Sequence, residues 1–87
     1  MIAKRPLLYT NHAETVIRER SLDKRWIERA VWEPDWQAAD VKDTSVIRLY
    51  KRVPENGNRI LRIVCVVTPE EIRILSVYFD RGARRPK

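Results

Sequence analysis

Two glycines, one cysteine and one histidine are all that this chain of 87 residues offers to most of the chemistry small proteins carry. With only Gly57 and Gly82, no glycine-rich loop can wrap its backbone around a phosphate. Cys65 stands alone, so there is no intrachain disulfide and no cysteine-rich zinc site. The sequence has no His-x-His, Asp-x-Asp or Cys-x-x-Cys pair, and neither a metal site nor a cofactor is expected. A Ser-His-Asp hydrolase is disfavoured for want of a nucleophile elbow. Long apolar runs are missing too. No stretch approaches the roughly 20 residues of a membrane span. No apolar run long enough for a signal peptide follows Met1-Ile2-Ala3-Lys4-Arg5-Pro6. The expected location is the cytoplasm, with no membrane contact. No internal repeat or low-complexity segment is visible.

What is present is a globular composition: 44% apolar and 34% charged residues, with a net charge of +6. One domain over residues 1–87 follows, with a thin core. The charge is unevenly spread. Residues 1–40 hold seven Lys/Arg and seven Asp/Glu, whereas residues 41–87 hold eleven and five. The whole excess lies in the second half. A basic surface confined to one layer of a fold points to a polyanion, nucleic acid first; the plainer alternative is a solubilising charge with no partner.

Residues 1–8 read as an extended segment, with Leu7, Leu8 and Tyr9 able to form a short edge strand. Thr10 or Asn11 then offers a helix N-cap. Through about Arg20 the helical period gathers Ala13, Val16 and Ile17 into a stripe, with His12 and Arg20 at its border and Arg18 facing away. Ser21-Leu22-Asp23 breaks this helix. A second runs from about Lys24 to Trp32, with Trp26, Ile27, Ala30 and Val31 on its apolar face, until Pro34 stops it. Everything after reads as strand: a weak one around Trp36 to Val41, then Ser45 to Val53, Arg59 to Thr68 and Ile72 to Phe79. The tail from Asp80 to Lys87 carries four basic residues and is expected to be mobile. The class is α+β, with two N-terminal helices on a three- to four-stranded antiparallel sheet.

Pro54-Glu55-Asn56-Gly57-Asn58 carries a hairpin signal. A three-residue loop, Glu55-Asn56-Gly57, pairs Tyr50 with Arg62; a two-residue Asn-Gly loop pairs Lys51 with it instead. The first is favoured, because it puts Ile47, Leu49, Leu61, Ile63 and Cys65 together beneath the helices. Arg48, Tyr50, Arg52 and Arg62 then share the open face. In the last strand Ile74, Ser76 and Tyr78 share one face and Leu75, Val77 and Phe79 the other; the second is the better core set, which leaves Ser76 and Tyr78 on the open face or its rim. Basic residues interleaved with an aromatic suit single-stranded RNA, where cations hold phosphates and rings stack on bases. An ordinary solvated sheet face has a similar composition.

A metal-independent ribonuclease needs a base, an acid and cations for the phosphorane charge. His12 could be the base or acid, Tyr50 or Tyr78 the acid, and Arg20 with Arg48 the cations. Arg52, Arg62 and Ser76 would bind substrate. Tyrosine, with an ordinary pKa of about 10, is a poor base at neutral pH. Against this stand a hydrogen-bonded structural role for His12 and a snorkelling one for Arg20. A further alternative is an interaction protein, with a homodimer among its forms, that uses Trp26, Trp32 and Trp36 as an exposed aromatic anchor. Trp32 lies off its helix's apolar face.

The residues Tyr9-Thr10-x-His12-Ala13, then Arg18-Glu19-Arg20-Ser21-Leu22, then Trp26-Ile27-Glu28-x-Ala30-Val31-x-x-Pro34-Asp35 resemble a bacterial domain-of-unknown-function family (DUF4258) over residues 9–79. That family is similar to the small ribonuclease toxins of the RelE and BrnT type. The resemblance implies a RelE/BrnT-like fold and an RNA-cleaving toxin, or a relative of one, paired with an acidic antitoxin. It carries the family's histidine onto His12, its helix-end arginine onto Arg20 and its last-strand polar residue onto Ser76. Ser21-Leu22 departs from the Gly-Ile usual there; glycine would close the helix in a left-handed cap.

Overall fold

The computed structural model describes residues 4–85. The extended reading of residues 1–3 and the last two residues of the basic tail lie outside them. The elements are β1 (Leu7–Tyr9), α1 (Asn11–Glu19), α2 (Lys24–Trp32), β2 (Trp36–Ala39), β3 (Val46–Val53), β4 (Arg59–Val67) and β5 (Ile72–Phe79), with a 3-10 turn at Pro54–Asn56.

Local chemistry sets each helix end. Thr10 caps α1, its hydroxyl accepting the Ala13 N–H at 3.1 Å and donating to the Leu75 carbonyl at 3.3 Å. One side chain thus starts the helix and moors it to β5. At the other end the Leu22 N–H reaches the Ile17 carbonyl at 2.9 Å and the Ser21 N–H reaches Arg18 at 3.3 Å, a Schellman closure with Leu22 buried. It requires a left-handed residue, and Ser21 supplies it at φ 51°. Asp23 caps α2 by accepting the Arg25 N–H at 2.8 Å.

The strands form one sheet in the order β1-β5-β4-β3-β2. It is five-stranded and mixed, where three or four antiparallel strands were expected. β2 is a full member paired with β3, and β1 runs parallel to β5, Leu7 opposite Ile72. Strand direction is not a local property: the chain leaves β1 through two helices and three strands before β5 returns beside it. The hairpin register is the favoured one, Tyr50 opposite Arg62, with pairing beginning at Val53 and Arg59.

Both helices lie on one face of the sheet. Ala13, Ile17, Ile27, Ala30 and Val31 meet Leu49, Val53, Leu61, Ile63 and Cys65 in one core. Fully burying each large aliphatic contributes about 1.5–3 kcal/mol. The last strand departs from strict alternation. Val64 faces Ser76 but Cys65 faces Ile74, so Leu75 is an extra residue. The bulge lets Ile72, Ile74 and Val77 all be buried. Ile74, expected on the open face, is in the core; Leu75, expected in the core, is not. Unbroken alternation would have had to expose Ile74 or Val77.

Trp26 and Trp32 pack against the core, which corrects the reading of Trp32 as an exposed anchor. Among the described residues, no helix is long and apolar enough to cross a membrane.

Candidate nucleic-acid interface

The sheet face away from the helices carries two transverse rows. Trp36, Tyr50, Arg62 and Tyr78 form one; Ala38, Arg48, Val64 and Ser76 form the next. Arg52, opposite Ile60, begins a third. The register therefore gathers Arg48, Tyr50, Arg52, Arg62, Ser76 and Tyr78 on one surface, because residues paired across strands point the same way.

Sharing a face does not leave these groups free. Tyr50 is buried, its ring stacked on Trp36 at 4.7 Å between centroids and 8° between planes. The Arg62 guanidinium covers Tyr78 at 5.1 Å. Arg48 pairs with Asp40 at 3.0 Å and Arg62 with Asp80 at 3.2 Å. The Lys42 N–H, the Arg48 guanidinium and the Asp43 N–H hold the Asp40 carboxyl below the usual carboxylate range. Of the three arginines expected to carry the face, Arg48 and Arg62 are neutralised on it, and Arg52 is left without a carboxylate partner among the described residues.

His12 and Arg20 lie elsewhere. Both are exposed on α1, in the helix layer opposite that face, and about 12 Å apart along the helix axis at 1.5 Å per residue. Among the described residues, no hydrogen bond or ion pair joins either side chain to Arg48, Tyr50, Arg62, Ser76 or Tyr78. The acid, base and cations expected of one catalytic centre are thus divided between two sides of the molecule. Nor do three or more His, Cys, Asp or Glu side chains converge among the described residues.

The unneutralised charge gathers at the hairpin end of the sheet. Of the cations after residue 40, Arg48, Lys51, Arg62 and Arg73 have carboxylate partners within 4 Å. Among the described residues, Arg52, Arg59, Arg81, Arg84 and Arg85 have no such partner, nor has Lys42, which alone of these lies at the other end of the sheet, in the β2–β3 loop. A groove of about 860 Å³ is lined by Arg52, Arg84 and Arg85 together with Arg29, Lys51 and Trp36. Asp35 anchors its floor. Burial opposes the charge on Asp35, but the Arg52 N–H and the Lys51 ammonium outweigh that and keep its pKa low. Arg85 folds back to donate to the Asp35 carbonyl oxygen at 2.9 Å. The groove shares Ile60 and Ala83 with a second concavity beside Arg59 and Arg81. That one shares Arg59 and Phe79 with a third, beside Arg20. The result is a continuous basic band from the open-face edge, around the strand ends, to the end of α1.

Only Arg20 and Arg52 of this band were singled out from the sequence. The count by halves located the excess charge, but it could not show that Asp35 and Asp40, from the neutral first half, would cancel Lys51 and Arg48.

Comparison with curated proteins and with solved structures gave no match. The model of one family, described as a domain of unknown function (DUF4258), matches residues 9–79, from the last residue of β1 to the last of β5. The chain belongs to that family.

Proposed function

We propose that this protein binds single-stranded RNA along the basic band at the hairpin end of its sheet. The observation that carries the reading is the convergence there of Arg52, Arg59, Arg84 and Arg85, without carboxylate partners among the described residues, on two adjoining concavities. Guanidinium groups track phosphates without regard to sequence, and Trp36 at the groove edge adds an aromatic surface. An acidic partner protein, such as the antitoxin that a RelE- or BrnT-like toxin would have, would meet the same arginines and compete with RNA.

The reading is of binding rather than cleavage. A ribonuclease toxin, the activity implied by the likeness to RelE and BrnT proteins, needs acid, base and cations around one phosphate. His12 and Arg20 stand apart from Tyr50 and Tyr78, so no such set supports it.

The test is anisotropy of a labelled 12-nucleotide RNA against salt. Four or five neutralised phosphates predict a slope of log K on log salt of about −3. Binding that is absent, or indifferent to salt, sinks the reading. The same RNA incubated with EDTA should stay intact; cleavage lost in His12→Ala would reinstate the enzymatic reading, and cleavage unchanged in it would mark a contaminant.

A further inference from the structure

The band ends in a concavity of different character. About 290 Å³ in volume, it is bounded by Arg20 at the end of α1, Asn56 in the hairpin turn, Arg59 on β4, and the rings of Trp26 and Phe79. No carboxylate lines it. Two guanidinium groups border one small space with nothing to offset them, an arrangement that favours an anion. Arg59 is held without an acid, its guanidinium 4.7 Å from the centroid of Phe79. Phe79 and Trp26 meet in an edge-to-face pair, 6.0 Å between centroids and 62° between planes. The left-handed Ser21 turns the chain sharply at the lip, just after Arg20.

We propose that this concavity is a nucleotide site that takes a terminal phosphate between Arg20 and Arg59, with the base against the Trp26–Phe79 wall. The inference rests on the RNA reading for its choice of ligand. Two guanidinium forks match a phosphate monoester, whose charge is roughly −1.5 to −2 near neutral pH. A single carboxylate would leave one of them unmet. The volume lies at the lower end for small-molecule sites, enough for one nucleotide and not a run of them. Asn56 adds an amide with both donors and acceptors for a base edge or ribose hydroxyl. The site sits at the end of the band, where a chain terminus would lie.

The probes are 5′-AMP, adenosine and inorganic phosphate, titrated into the full chain with the Trp26 indole N–H followed by NMR. 5′-AMP should shift that signal, and adenosine at equal concentration should not. Arg20→Gln and Arg59→Gln should each weaken 5′-AMP by about tenfold, with Arg59→Lys recovering part of the loss. Unchanged affinity in Arg59→Gln overturns the site, as does inorganic phosphate binding as tightly as 5′-AMP. Titrating the 12-nucleotide RNA in parallel separates the two readings. RNA bound while 5′-AMP leaves Trp26 unmoved removes the site and keeps the band. 5′-AMP bound at Trp26 without RNA binding keeps the site and removes the band.

Discussion

Arg62 on β4 reaches Asp80, just past the end of β5, at 3.2 Å, with both side chains only about a fifth exposed. Its Nε is buried without a partner, so Asp80 is the acid that balances this guanidinium on the open face. Asp80→Ala leaves the largely buried Arg62 charge without its acid and also removes the acceptor of the Gly82 N–H. The expected loss is about 1–3 kcal/mol in urea unfolding. Adding Arg62→Met should recover part of it, because the uncompensated cation is gone. A double variant no better than Asp80→Ala would assign the loss to the turn alone.

RNA affinity should separate the arginines by their partners. Arg52→Ala, Arg59→Ala and Arg84→Ala should each weaken the 12-nucleotide RNA about threefold to tenfold and reduce the salt slope by about 0.7. Arg48→Ala should change affinity less than twofold, since removing it also unmasks Asp40 only at the far side of the sheet face. Anisotropy on the set decides; a reversed order would move the interface to the open face.

Ser21 occupies a conformation that glycine adopts without strain, with φ 51° at the Schellman closure of α1. Ser21→Gly should therefore stabilise the protein by about 1 kcal/mol, the relief of an L-residue's left-handed cost less glycine's unfolded-state entropy. Thermal unfolding measures it. No change, or a loss, would show that the serine is held at that angle without cost.

Glu55 bridges the hairpin to α2 through Arg29 at 2.8 Å. The Arg29 hydrogen bonds are the main cause that lowers its pKa from 4.5 to about 2. A depressed carboxylate stabilises the fold fully above its unfolded value and loses that contribution as pH falls through the folded one. Glu55→Gln should thus flatten the acid limb of stability between pH 4.5 and about 2. Both groups are well exposed, so the effect at neutral pH should be small and should shrink with salt. Parallel acid titrations of wild type and variant by circular dichroism test this; superimposable curves would deny the bridge its role.

Several features could be read from the chain because their causes lie within a few residues. Thr10 and Asp23 cap helices three and two residues onward. The hairpin register follows from placing Leu49, Leu61, Ile63 and Cys65 on one side of a tight turn. The site was less legible. Three arginines on the open face, Arg48, Arg52 and Arg62, were found by alternation, yet the neutralisation of Arg48 and Arg62 depends on Asp40 and Asp80, which no period of 2 or 3.6 connects to them.

The sequence by itself determined the two helices, the three long strands β3, β4 and β5, the β3–β4 register and the amount of excess charge, all products of spacing and composition. The tertiary structure decided the parallel β1–β5 pair, the bulge at Leu75, the separation of His12 from Tyr50, and where the charge stays free. The physical reason is range. A side chain's face is set by backbone geometry over a few residues, whereas a cation is neutralised by whichever carboxylate the fold brings within 4 Å. For Lys51, Arg62 and Arg29 that partner lies 16, 18 and 26 positions away.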